Sequence, residues 1–175
     1  MEFKELIRER RSVRNYSEAI SREDLTSILD DARMAPSWKN SQTYRCYAVT
    51  DPEKTAAFRE AVLPPFNAKN SANAAYIVTT FVKGISGYNG DVPANEAGDF
   101  WGAYDLGLHD AYLILSARDR GYDTLIMGIR EAAAIRDLLE IPGDEEILSV
   151  IAIGKRAAEP AFRPRKELAE VAKFF

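Results

Sequence analysis

Two runs in this chain, Ala74–Val82 (AAYIVTTFV) and Ile147–Ile153, constrain its architecture more than anything else in it. Both are dense in β-branched, aliphatic and aromatic residues, the composition of strands buried in a sheet. Neither approaches the roughly 20 apolar residues of a membrane span. Buried strands need helical cover, and the intervening segments supply it. Phe3, Leu6 and Ile7 repeat with helical spacing, predicting a helix over residues 2–10. Ser21-Arg22-Glu23-Asp24 resembles a capping box and opens a second helix carrying Leu25, Ile28, Leu29 and Ala32 on one face. Asp51-Pro52 is an N-cap followed by a proline at the first helical position, starting a third helix to about Val62. The longest helix is expected from Glu96 to Arg120, stopped by Gly121, and a further one near Glu131–Leu139.

Tyr44–Thr50 reads as another strand, and Thr124–Ile129 as a short apolar piece. Residues 37–42 are polar and follow Pro36, so they form a loop; Asn67–Asn73 is a polar connection or a helical turn. Gly84, Gly87, Gly90 and Pro93 make residues 83–95 a loop, with the character of a lid. Strands and helices interleave irregularly over 175 residues, which fits one α+β domain (1–175) of three layers, a mixed or antiparallel sheet flanked by helices.

Charge is distributed unevenly. The chain totals −4, but residues 1–14 carry +2 and residues 155–175 carry +3, leaving −9 between them. Two basic ends on an acidic chain make sense if both meet at one small anion. The acidic total argues against nucleic-acid and membrane-surface partners. The N-terminus is charged from its second residue and shows no apolar secretory core, so a cytoplasmic location is expected. Lone Cys46 builds neither a disulfide framework nor a cysteine zinc site, and no metal-ligand spacing stands out. His109, the single histidine, lies inside the long helix and reads as structural or surface; there is no serine-nucleophile elbow, P-loop or dinucleotide fingerprint. An enzyme so poor in nucleophiles and bases takes its chemistry from a cofactor. Arginine forks beside a hydroxyl in Arg10-Arg11-Ser12-Val13-Arg14 suit a phosphate, although a solvated helix end carries the same residues. Trp101, Tyr104 and Tyr112 read as packing residues on the long helix. Phe174 and Phe175, a terminal aromatic pair costly to expose, are expected to dock, a second subunit being one place for them.

Four segments together resemble the nitroreductase family. They are Arg10–Tyr16 (RRSVRNY), Ala35–Gln42 (APSWKNSQ), Gly121–Thr124 followed by Ile126-Met127-Gly128, and the tail Phe162–Leu168 (FRPRKEL). Each is weak alone, but their order and spread are specific. The resemblance implies FMN as cofactor and an intertwined homodimer with two sites at the subunit interface. It places Arg10, Arg11, Ser12 and Arg14 at the phosphate and ribityl end, with Arg163 and Arg165 closing from the tail. Pro36, Ser37, Trp38 and Asn40 would reach the partner's flavin. Asn67 would face the ring edge, with Asn70 where the family often has lysine. Ile126, Met127 and Gly128 would run their backbone past the ring, although an acidic residue is common where Met127 stands. No side chain is assigned as a catalytic acid or base.

The implied activity is oxidoreduction in which NADH or NADPH and a small electron-poor acceptor, such as a nitroaromatic or quinone, use one pocket in ping-pong order. Other flavin chemistry on the same fold (reductive dehalogenation, enone reduction, flavin fragmentation) stays open at this point. So does a flavin-binding protein with little turnover.

Overall fold

The computed structural model describes residues 1–175. In chain order its elements are α1 (Phe3–Glu9), β1 (Tyr16–Ala19), α2 (Arg22–Ala32), a 3-10 turn (Trp38–Asn40), β2 (Tyr44–Val49), α3 (Pro52–Val62) and α4 (Pro65–Asn70). The second half holds β3 (Ala75–Val82), β4 (Tyr88–Asn89), β5 (Val92–Pro93), α5 (Phe100–Asp119), β6 (Asp123–Met127), α6 (Ala132–Leu139), β7 (Glu145–Arg156) and α7 (Leu168–Val171).

The two apolar runs are the centre of the sheet. β7 pairs antiparallel with β3 from Ala75↔Ile153 to Val82↔Glu145, and β3 pairs antiparallel with β2. β6 lies antiparallel to β7, and β1 takes the far end of β7 at Gly154–Arg156. Alternate residues of β3 and β7 feed two separate cores. Tyr76, Val78, Val150 and Ala152 pack with Phe58, Val62 and Ile135 of α3 and α6. Ala75, Ile77, Ile151 and Ile153 pack with Leu25, Ile28, Leu113 and Ala117 of α2 and α5. Burial on both sides of the sheet therefore creates the expected three layers.

Local signals act where expected. Ser21 Oγ accepts from Asp24 N at 3.1 Å and Asp51 Oδ1 from Lys54 N at 3.0 Å, capping α2 and α3. Gly121 ends α5 with φ of 82°. The long helix begins at Phe100 rather than Glu96. Gly98 takes φ of 48°, and Asn95 Oδ1 accepts from Ala97 N at 3.0 Å and Trp101 Nε1 at 3.1 Å, so residues 95–99 form turns. Residues 83–95 are not a free loop either. They contain the β4–β5 hairpin and are tied to α5 by Gly84 N donating to Asp99 Oδ1 at 2.7 Å.

β1 crosses β7 where there is no room for a side chain. A Cβ on Gly154 would collide with the Glu18 carbonyl oxygen and lie 3.1 Å from the Tyr16 ring. Gly154→Ala is expected to push β1 away and cost about 2 kcal/mol, read as a fall in Tm of about 4–8 °C. Gly128→Ala is the control, because its Cβ meets nothing within 4 Å. Equal melting temperatures for the two variants would refute the close approach.

Candidate functional site

α1 stops at Glu9, and Arg10 leaves it with extended geometry (φ −57°, ψ 126°). Val13 is then drawn into the core at 1% exposure; its N–H donates to Thr124 O on β6 at 3.0 Å, and Tyr16 Oη donates to Val13 O at 3.0 Å. With Val13 anchored, Ser12 and Arg14 on either side stay exposed while Arg10 is half-buried. The other end of the chain arrives through β7. Ala157 N donates to Asn15 O at 3.0 Å, which starts residues 158–165 alongside the first segment. Between them lies a cavity of 560 Å³ lined chiefly by Arg10, Arg11, Ser12, Arg14, Arg163 and Arg165. The two basic ends of the chain do meet.

None of these cations has a carboxylate partner. Arg10, Arg14, Arg163 and Arg165 form no ion pair within the chain; Arg14 donates only to Ser12 O at 3.4 Å and Arg165 to Arg163 O at 3.0 Å. Burial, then the neighbouring charges of Arg165 and Arg11, hold the Arg10 guanidinium below its ordinary range. Arg11 is placed differently, donating to Arg10 O at 2.9 Å with its guanidinium 5.0 Å above the Phe162 ring. Cations held together at electrostatic cost in a concave site fit a polyoxyanion such as a phosphate monoester.

A second set of predicted residues gathers where β6 ends, outside the lining of that cavity. Met127 is 3% exposed and its side chain belongs to the core, so only its backbone is available; Ile126 on the opposite face is 48% exposed. Beyond them the backbone N–H groups of Gly128, Ile129 and Arg130 have no partner within the chain. The turn is held from outside. Asn67 Nδ2 donates to Ile129 O at 3.0 Å, and Arg130 donates to Gly128 O at 3.2 Å and to Ile147 O. Asn70 is half-buried and makes no side-chain hydrogen bond. A row of free donors on a fixed turn suits the acceptor atoms of a planar heterocycle.

The third set, Pro36, Ser37, Trp38 and Asn40, stands against the start of α5 and does not line the arginine cavity of its own chain. Lys39, Asn40 and Gln42 all adopt left-handed backbone (φ 47°, 56° and 50°), and buried Asp105 holds this loop. Its Oδ2 accepts from Trp38 N at 2.9 Å and from Ser86 Oγ at 2.7 Å. The Trp38 ring lies 5.0 Å from Trp101, which meets Tyr104 edge-on at 5.5 Å. Trp101 therefore packs as expected, while Tyr104 and Tyr112 are 59% and 44% exposed. Phe174 and Phe175 do not dock on their own chain.

His109 is structural. It is 1% exposed, stacked on Tyr44 at 4.2 Å, with Nδ1 3.2 Å from Asp110 Oδ1. Burial pushes the Cys46 thiol up to about 12. Sequence reading missed two buried carboxylates, Asp105 and Asp123, because an isolated aspartate carries no signal of its burial. A lone carboxylate amid the apolar stretch Phe100–Leu108 and the turn glycine shortly before the second were the available hints.

A three-layer α+β chain whose two ends bring unpaired arginines to one cavity, with a second donor row at a strand end, has the groups to receive a phosphate-bearing ligand. The model of the nitroreductase family matches residues 7–155, and the chain belongs to that family. An Archaeoglobus fulgidus protein named as a candidate NADH dehydrogenase/NAD(P)H nitroreductase is 31% identical over 167 residues, covering 90% of this chain and 87% of that one. A Bacillus subtilis candidate NAD(P)H nitroreductase, YdgI, is 29% identical over 190 residues, covering 90% of each. Among solved structures, a nitroreductase-like protein from Exiguobacterium sibiricum in complex with FMN is similar with a TM-score of 0.79 and 25% identity, covering 100% of this chain and 98% of that one. No helix is long and apolar enough to cross a membrane.

Proposed function

We propose that this chain is an FMN-dependent oxidoreductase that takes electrons from NADH or NADPH and passes them to a small electron-poor acceptor such as a nitroaromatic or quinone. The unpaired arginine cluster carries the reading: five guanidinium groups without carboxylate partners converge on one cavity. Arg10, Arg14, Arg163 and Arg165, with Ser12, would hold the phosphate through charge-assisted bonds. The free N–H groups at Gly128–Arg130 would orient the ring, on a turn held by Asn67. FMN, when bound, supplies the redox chemistry, and the polypeptide supplies position and electrostatics. No acid or base of the chain is required. His109 is enclosed, and Cys46 stays a neutral thiol at ordinary pH.

The homodimer belongs to the same reading. The Pro36–Asn40 loop stands apart from the arginine cavity of its own chain, and α5 leaves Phe100, Tyr104 and Tyr112 exposed. A second copy would cover that face and receive the loop at its flavin. Nicotinamide and acceptor would then enter one opening in turn, the ping-pong order.

Purified protein should be yellow and dimeric, release FMN on heating, and lose its flavin absorbance within seconds of stopped-flow mixing with NADH or NADPH. A yellow dimer that neither nicotinamide bleaches would refute the oxidoreductase and leave a flavin-binding protein. Colourless protein that gains no flavin on addition would refute the cofactor.

A further inference from the structure

Asp123 opens β6 with its side chain only 1% exposed. A carboxylate in that position is costly unless it is paired, and two arginines pair with it. Arg156 makes a bidentate fork, Nε and Nη2 each donating at 2.7 Å, and Arg118 Nη1 donates at 3.2 Å. Each arginine also reaches a second carboxylate farther out. Arg156 Nη1 donates to Glu159 at 2.6 Å, and Arg118 Nη2 lies 3.6 Å from Glu9.

The outer partners sit at informative places. Glu9 immediately precedes Arg10, and Glu159 enters the cavity wall just ahead of Arg163 and Arg165. One buried carboxylate is thus tied, through two relays, to both arginine-bearing walls. The pairing with Arg156 also occupies Glu159, a wall residue that would otherwise be free to neutralise the cavity cations. Without a tether the mutual repulsion of Arg10, Arg11 and Arg165 favours an open, swung-out tail, because residues 157–165 are exposed apart from half-buried Pro160.

We propose that Asp123 is a positioning residue for the phosphate site: through Arg118–Glu9 and Arg156–Glu159 it holds the Arg10–Arg14 and Arg163–Arg165 segments together before the anion arrives. This rests on the reading of the cavity as the FMN phosphate site. Arranging the cations in advance reduces the ordering cost of binding. The flavin ring has no part in that arrangement, so the effect of Asp123 is specific to the phosphate.

The test compares FMN with riboflavin, which lacks the phosphate, on full-length protein stripped of flavin. Asp123→Asn should weaken FMN about tenfold and riboflavin less than about twofold, and speed tryptic cleavage after Arg165 about tenfold. Equal weakening of both flavins, unchanged FMN affinity, or selective loss with unchanged cleavage would each overturn the proposal. If Asp123→Asn does not fold, Glu9→Gln with Glu159→Gln replaces it, since those side chains are 47% and 84% exposed. The same selectivity, at about threefold, with faster cleavage is then expected, and its absence overturns the tether. Wild-type protein that binds neither flavin would refute the FMN site itself. Cleavage in the two variants would still decide whether Asp123 holds the tail.

Discussion

Arg10→Glu combined with Arg14→Glu is expected to yield folded, colourless protein whose FMN affinity has fallen about a thousandfold or more. Each guanidinium lost from a phosphate removes a charge-assisted bond of about 1.5–3 kcal/mol, and each glutamate adds repulsion of the same dianion. Two such changes amount to at least about 4 kcal/mol, or three decades. The fold should not suffer. Neither side chain has a carboxylate partner, and Arg10 is opposed by Arg11 and Arg165. Apoprotein of the double variant should melt no lower than wild-type apoprotein, whereas the stabilisation that FMN gives the wild type should vanish. Mass action predicts that separation, because a ligand stabilises only the state that binds it. Unchanged flavin occupancy would reject the phosphate assignment outright. A drop in apoprotein stability would show instead that these arginines serve the fold.

The parts of the fold that sequence reading recovers are those whose signal is local or repeated. Ala74–Val82 and Ile147–Ile153 declare themselves by composition, and Ser21 and Asp51 by capping chemistry. What stays hidden depends on a distant partner. β1 is the four residues Tyr-Ser-Glu-Ala, of which only Tyr16 is buried, and it becomes a strand because β7 runs on to Arg156 with a glycine where the two cross. The β4–β5 hairpin has two residues per strand inside a glycine-rich stretch. α5 starts late because Asn95 and Gly98 shape the turns before it.

The site divides in the same way. Arginines at the two ends are legible because the charge pattern is lopsided against an acidic middle. Asp105 and Asp123 are not, because their role depends on what the fold packs around them. Each stands beneath one candidate segment: Asp123 under the arginine walls, Asp105 under the Trp38 loop. In both cases a buried acceptor fixes a polar surface segment that has little apolar area to hold it. The division follows from physical chemistry, since groups that would face a ligand must stay free of strong internal partners, whereas their supports must not.

Asp105→Ala should therefore produce a large stability loss beside the Trp38 loop. The substitution leaves the Trp38 N–H and the Ser86 hydroxyl without their shared acceptor in a position that is 3% exposed. One part-buried donor left unpaired, a hydroxyl turned to Ser41 or Thr43 instead, and the space vacated together cost about 3 kcal/mol. For a chain of this size that lowers Tm by roughly 6–12 °C. Asp105→Asn keeps one acceptor oxygen and should recover most of the loss. The consequence for the loop is more specific. Lys39, Asn40 and Gln42 hold left-handed backbone, each at a cost of about 1 kcal/mol, and the pins against that strain are few. Trp38 is fixed through its N–H to Asp105, Gln42 N donates to Ser37 Oγ at 3.0 Å, and Ser41 meets Ser86 at 2.9 Å. Removing Asp105 breaks the first pin and loosens the third. The strained residues should relax and carry the Trp38 ring away from Trp101, shifting tryptophan emission at temperatures where the protein is still folded. In the proposed dimer this loop serves the partner's flavin, so turnover well below Tm should fall further than the small unfolded fraction accounts for. Lower stability with unchanged emission and full turnover would make Asp105 a support of the fold alone.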